Sequence, residues 1–158
     1  MAVDPPLQAL KKNYEADEHV AQQRLNEVQR VVAERRLVLE SAKLARDELI
    51  QEIEAVAGAE RLRALHAQDG ERLAALDSYL QRLRRELAAR TRSVAEHEKD
   101  LQLALDRAQL AEEDLVEARI QKRKVEKFLE DREQVKRIRN AALEEAATDE
   151  LGTRKRSR

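Results

Sequence analysis

The sequence predicts an all-α protein, an elongated antiparallel two-helix coiled-coil hairpin with an overhanging C-terminal helix. Of the 158 residues, 40% are Asp, Glu, Lys or Arg, whereas the chain holds one Phe, two Tyr and no Trp. Two long stretches, residues 7–57 and 71–151, contain neither Gly nor Pro. A chain rich in Ala, Glu, Lys, Leu and Arg is typical of long coiled-coil helices when its apolar residues follow a heptad pattern.

The first helix is predicted over residues 6–57. Pro5 and Pro6 stand where a helix begins, and Asp4 is placed to accept hydrogen bonds from free amides of the first turn. Seam positions then alternate at spacings of four and three, the pattern of a left-handed coiled coil. They are Ala21, Leu25, Val28, Val32, Arg35, Leu39, Ala42, Arg46, Leu49, Ile53 and Val56.

A bent tip segment is predicted next, over residues 58–70. Its ends are Gly58 and Gly70, which bracket the sequence AERLRALHAQD. Gly costs about 1 kcal/mol relative to Ala inside a helix, so the pair marks the expected interruption. The sequence leaves the position of the bend within this segment open, with Gly58, the region of Ala64 and Gly70 as the alternatives.

The second helix is predicted over residues 71–148, followed by a basic flexible tail over 149–158. Together the elements form a single coiled-coil domain over residues 1–158. The alternation of three and four runs without a break through the second helix. Its seam positions are Leu73, Leu76, Leu80, Leu83, Leu87, Arg90, Val94, His97, Leu101, Ala104, Ala108, Ala111, Leu115, Ala118, Lys122, Val125 and Leu129.

The unequal lengths of the helices predict an overhang. A bend near Ala64 places Tyr14 opposite Asp114 and leaves the second helix without an intramolecular partner beyond about Lys124. A bend at Gly70 instead delays the overhang to about Arg132.

This overhang is amphipathic. Its apolar residues recur at spacings of three and four, and an exposed stripe of this kind is usually covered by another molecule. They are Val125, Phe128, Leu129, Val135, Ile138, Ala142 and Leu143. Charge is segregated as well: residues 96–118 hold two basic and eight acidic side chains, and residues 119–140 hold nine basic and four acidic ones.

The sequence offers no residues for catalysis or cofactor binding. There is no Cys and no Gly-rich phosphate loop, and His19, His66 and His97 are too far apart for a metal-binding motif. We therefore expect no catalytic residues, metal, cofactor or small-molecule substrate. No apolar run approaches the ~20 residues of a membrane helix, and the N-terminus lacks the pattern of a secretory leader. We expect a soluble cytoplasmic chain without membrane insertion.

Two segments resemble a known family. They are KRKVEKFLEDREQVKRIRNAALEEAATDELGTRKR, residues 122–156, and the opening PLQALKKNYEADEHVAQQRL, residues 6–25. In the first, a basic helix with a large apolar anchor runs into a charge-rich stretch and a basic end. Both resemble the FliJ/YscO family of type III secretion stalk proteins, and VEKF is more similar to the injectisome YscO/HrpO branch than to the flagellar one.

This resemblance implies a non-catalytic stalk similar to the central shaft of rotary ATPases, monomeric when alone. Its end would bind in the pore of the hexameric secretion ATPase. The remainder would contact the cytoplasmic domain of the export gate and secretion chaperones, at the cytoplasmic face of the apparatus. The ATPase-binding residues that it implies are Leu7, Leu10, Tyr14, Lys122, Arg123, Lys124, Val125, Phe128, Leu129, Arg132, Val135, Lys136, Ile138 and Arg139. The Pro5-Pro6 pair departs from the family pattern.

Two other functions fit the same residues. The apolar stripe of the overhang could pair with a second copy, which would make the protein a self-associating structural coiled-coil adaptor. The basic residues of 119–139 and the terminal RKRSR could bind nucleic acid, with a steep salt dependence. The near balance of 31 basic and 32 acidic side chains makes nucleic-acid binding the weaker of the two.

Overall fold

A computed structural model describes residues 5–66 and 70–156, with side chains described for 5–63, 66 and 70–149. It contains two long helices, α1 (Pro5–Leu65) and α2 (Gly70–Arg156). Both described segments are helical apart from a turn at His66, and neither contains a strand. The two helices pack against each other, which confirms the predicted all-α helical hairpin.

Helix α1 begins at Pro5 and continues past its predicted end. Pro is tolerated in the first turn because its missing N–H would have no intrahelical acceptor there. Gly58 lies inside the helix, so the predicted end at residue 57 differs from the observed end at Leu65. The neighbours of Gly58 are mostly strong helix formers, and they outweigh its cost of about 1 kcal/mol. Asp4, the expected cap, lies outside the described residues.

Helix α2 begins at Gly70 with Glu71 in its first turn, where a carboxylate interacts favourably with the helix dipole. Its backbone is helical to Arg156, beyond the predicted end at residue 148 and into the predicted flexible tail. The segment before the terminal basic residues, EEAATDEL, consists mainly of helix-forming residues, which accounts for the continuation.

The tertiary contacts of the chain fall into two units. The internal unit is Leu25–Ala111, and the terminal unit combines Met1–Arg24 with Glu112–Arg158. Each unit takes one part from each helix. The single domain expected over residues 1–158 stays a prediction.

In the internal unit, buried residues come from the predicted seam. Leu80 is only 2% exposed, and the other buried apolar side chains of this unit are Leu25, Val32, Leu39, Leu49, Leu83, Val94, Ala104 and Ala111. All belong to the three-four alternation read from the sequence. Burial of this seam supplies the main driving force for packing.

Polar contacts of the internal unit show that the helices are antiparallel. Tyr79 donates to Glu52 Oε1 at 2.6 Å, whereas further along α2 Asp100 pairs with Arg35 at 3.5 Å. Residues later in α2 therefore pair with residues earlier in α1, as in an antiparallel pair of helices. Arg90, a polar seam residue, donates through Nη1 to the Ala45 carbonyl oxygen at 2.6 Å, so its guanidinium is satisfied across the pair.

Candidate functional site

The candidate site lies in the terminal unit, and its base is a cluster of hydrogen-bonded charges between the helices. Glu18 of α1 accepts from Lys122 Nζ at 2.9 Å and from Arg119 Nε at 3.2 Å. Arg119 also donates through Nη2 to Gln22 Oε1 at 3.2 Å. One carboxylate thus holds two basic side chains of α2 against α1.

These contacts change the acidity of both partners. Hydrogen bonds from Lys122 and then from Arg119 hold the pKa of Glu18 below its ordinary value of 4.5. The hydrogen bond to Glu18 raises the pKa of Lys122 above its ordinary value of 10.5. Both shifts favour the charged forms, so this cluster is an ion pair at neutral pH.

The same contacts fix the register of the terminal unit. Asp114 Oδ2 lies 3.9 Å from Nη1 of Arg24, whereas a bend near Ala64 would place Tyr14 opposite Asp114. The observed register differs from that alternative by about ten residues, or roughly three helical turns. It is closer to the register expected for a bend at Gly70, because α1 continues through the Gly58 region to Leu65.

The start of α1 forms a groove with α2. A cavity of about 440 Å³ is lined by Gln8 and Lys11 from α1 and by Glu126, Leu129, Glu130 and Glu133 from α2. The carboxylates of Glu126, Glu130 and Glu133 line the α2 side of this groove, and Lys11 is the cation on the α1 side. Beyond Glu133, every residue whose side chain is described, through residue 149, is exposed. The overhang thus begins near the later of the two predicted positions.

Phe128 anchors a second concave surface, formed by α2 alone. Its side chain is 53% exposed, and the Arg132 guanidinium lies over its ring at 5.9 Å from the centroid. A groove of about 430 Å³ runs along this face of the helix. We call it the Phe128 face; its lining residues are Phe128, Asp131, Arg132, Val135, Lys136 and Arg139.

The Phe128 face combines apolar and basic groups. Three of its lining residues are cations and one is a carboxylate, while Val135 is 65% exposed. Ile138 and Leu143, on the same stretch of α2, are 70% and 61% exposed. This stretch of α2 therefore presents exposed apolar and basic side chains together.

The predicted ATPase-binding residues divide into two groups in the structure. Half-buried residues of the terminal unit are Leu7, Tyr14, Lys122, Val125 and Leu129. Exposed residues are Leu10, Arg123, Lys124, Phe128, Arg132, Val135, Lys136, Ile138 and Arg139. The second group is therefore the more accessible of the two to a partner.

Sequence reasoning missed two contributors. Glu18 neutralises Lys122, and Asp131 adds a carboxylate to the Phe128 face. A signal for Glu18 existed, because a Lys at a seam position requires an acidic group on the facing helix when it is partly buried. Identifying that group required the register, which the sequence left open between the alternative positions of the bend.

Within the described residues, no group of three or more His, Asp or Glu side chains is arranged to hold a metal ion. None of the helix segments searched there is long and apolar enough to cross a membrane.

Comparisons with known proteins identify a similar fold. No family model matches the chain, and no curated protein matches it. A solved structure from Chlamydia trachomatis, of a protein proposed to be a YscO homolog, superposes with a TM-score of 0.83. The match covers 96% of this chain and 94% of the other at 17% sequence identity. The two proteins share the helical-hairpin fold, and the resemblance read from the sequence is supported at that level.

Proposed function

We propose that this protein is a non-catalytic stalk and escort component of a type III secretion system, and that the Phe128 face binds the hexameric export ATPase. The observation that carries the proposal is the exposed apolar and basic surface of the Phe128 face, which is formed by α2 alone and continues past Glu133, where the groove with α1 ends. Exposed apolar surface bordered by charged groups is commonly covered by a partner, which supports this assignment.

Two further observations support a stalk. The fold is similar to that of a proposed YscO homolog. The amino-acid sequence of residues 122–156, which include the Phe128 face, resembles the same family. In this proposal the protein acts in the cytoplasm at the secretion apparatus, and the remaining exposed surfaces of the hairpin contact the export gate and secretion chaperones.

The physical role follows from the two parts of the terminal unit. Next to α1, the charges of Glu18, Arg119 and Lys122 are paired and hold α2 in a fixed register. Beyond Glu133 the described side chains, through residue 149, are exposed and within reach of a partner. In this proposal the stalk acts by binding and performs no chemistry itself.

The test uses the export ATPase of the same secretion system, with ATP turnover and ring assembly measured as the full chain is added. We expect the wild-type chain to stimulate both. Phe128→Ala should weaken the response by about tenfold or more in chain concentration, because aromatic anchors commonly contribute more than about 1.4 kcal/mol to binding. Leu37→Ala is the matched control, since Leu37 is 73% exposed in the internal unit.

Absence of any effect of the wild-type chain on the ATPase would refute the proposal. The competing function is self-association, which the exposed side chains of Val135, Ile138 and Leu143 also favour. Light scattering at micromolar concentration separates the two, because a stalk is expected to be monomeric alone and an adaptor of this kind at least dimeric.

A further inference from the structure

The hairpin itself shows how a basic residue in the seam of α2 is accommodated. Lys122 occupies a seam position, its side chain is 28% exposed, and its charge is matched by Glu18 of the antiparallel helix at 2.9 Å. The pairing works because a carboxylate on a facing helix reaches the ammonium group without leaving either charge unpaired.

Basic residues also occupy seam positions of α2 beyond the groove with α1. Two heptads after Lys122, the three-four alternation places Lys136 in the seam, followed by Arg139. Both side chains are exposed and line the Phe128 face. The groove that contains residues of α1 ends at Glu133, so these seam positions are left for another molecule.

Apolar residues flank these two cations on the same face. Phe128 and Val135 line the groove with them, and Leu143 continues the seam at 61% exposure. A bound helix would therefore meet a mixed row of aromatic, aliphatic and cationic groups at coiled-coil spacing.

A second copy of the chain fits this face poorly. Pairing two such faces would bring Arg132, Lys136 and Arg139 of each copy against one another, with Asp131 as the single carboxylate in each groove. Like charges brought together at an interface are strongly unfavourable. Charge complementarity instead favours an acidic partner.

We infer that the Phe128 face binds an acidic amphipathic helix, which extends the coiled coil past the start of α1. Its carboxylates pair with Lys136 and Arg139 as Glu18 pairs with Lys122, and its aliphatic residues cover Phe128 and Val135. The inference rests on the proposed function in one respect: it takes the export ATPase to be the protein that supplies this acidic helix.

The first experiment is independent of the ATPase and uses two labelled synthetic peptides. Both are helical and of equal length with the same Leu seam, and they carry either Glu or Lys at all flanking positions. Fluorescence anisotropy at low ionic strength measures their binding to the full chain. We expect the acidic peptide to bind at least about tenfold more tightly than the basic one.

Charge reversal supplies the decisive comparison. Lys136→Glu combined with Arg139→Glu should reverse the peptide preference, so that the basic peptide binds more tightly than the acidic one. The control, Lys127→Glu combined with Arg137→Glu, changes the net charge equally on residues outside the Phe128 face and should retain it. Because the two variants carry the same net charge, bulk attraction cannot produce a difference between them. Equal affinity for both peptides, or the same response in both variants, would overturn the inference.

The ATPase is then measured with the same two variants. Loss of ATPase binding in Lys136→Glu with Arg139→Glu, but not in the control, supports the inference and the proposed function together. ATPase binding that survives the charge reversal refutes the inference and leaves the proposed function standing. Peptide selectivity without ATPase binding by the wild-type chain supports the acidic helix and refutes the proposed function.

Discussion

At the scale of single residues, Glu18 holds the terminal unit in register. Its carboxylate accepts from Lys122 and Arg119, so Glu18→Gln leaves two cations with a weaker acceptor. We expect a lower Tm for Glu18→Gln than for the wild type in circular dichroism melts. Asp17→Asn, an exposed neighbour on α1, is the matched control. An equal Tm for both variants would show that the cluster contributes nothing to folding.

The pH dependence of this effect has a defined sign. Because folding lowers the pKa of Glu18, its contribution to stability is present above the ordinary pKa of 4.5 and is lost as the pH falls through the folded value. Folding raises the pKa of Lys122, so that contribution is present below 10.5 and is lost as the pH rises through the folded value. The Tm difference between wild type and Glu18→Gln should therefore be largest at neutral pH and vanish in strong acid.

At the scale of the helix, the predicted and observed hairpins differ at Gly58. The sequence predicted that the bent tip begins at this residue, but it lies inside α1. Its φ is not positive, and, apart from its chain neighbours and the adjacent backbone of its own helix, no described atom lies within 4 Å of the position that an added methyl group would take. Gly58→Ala should therefore stabilise the protein by about 1 kcal/mol in urea unfolding. Gly70→Ala is the control and should have a smaller effect, since Gly70 is the first residue of α2. Destabilisation by Gly58→Ala would favour the bend that the sequence predicted there.

The seam was predictable because it depends on local periodicity. Among the described side chains, each of the buried apolar residues, including Leu80, Val94 and Leu115, occupies a position in the predicted alternation. The register was not predictable in the same way. It depends on where α1 ends, and a single Gly among helix formers gives a weak boundary signal. The start of the overhang therefore stayed open in the sequence, and the half-buried position of Lys122 beside Glu18 was missed.

At the scale of the whole molecule, most buried apolar residues and the proposed recognition surface lie in different units of the chain. Buried apolar residues are concentrated in the internal unit. Among the described side chains of the terminal unit, one apolar residue, Leu115, is buried. The Phe128 face, on the second half of α2, is exposed. The nearly neutral net charge conceals this division, because acidic residues dominate 96–118 and basic ones 119–140. The resemblance pointed to the candidate recognition surface, and the structure identified which of its residues remain accessible.

Truncation tests this separation. A chain ending at Val135 lacks α2 from Lys136 onward and should keep its unfolding free energy within about 0.5 kcal/mol of the full chain, because surface changes have effects of that size. Binding to the acidic peptide and to the ATPase should be lost, since Lys136 and Arg139 are removed. Urea unfolding and anisotropy titrations measure the two properties on the same preparations. A large loss of stability would mean that residues beyond Val135 support the hairpin, and that their exposure does not mark a surface kept for a partner.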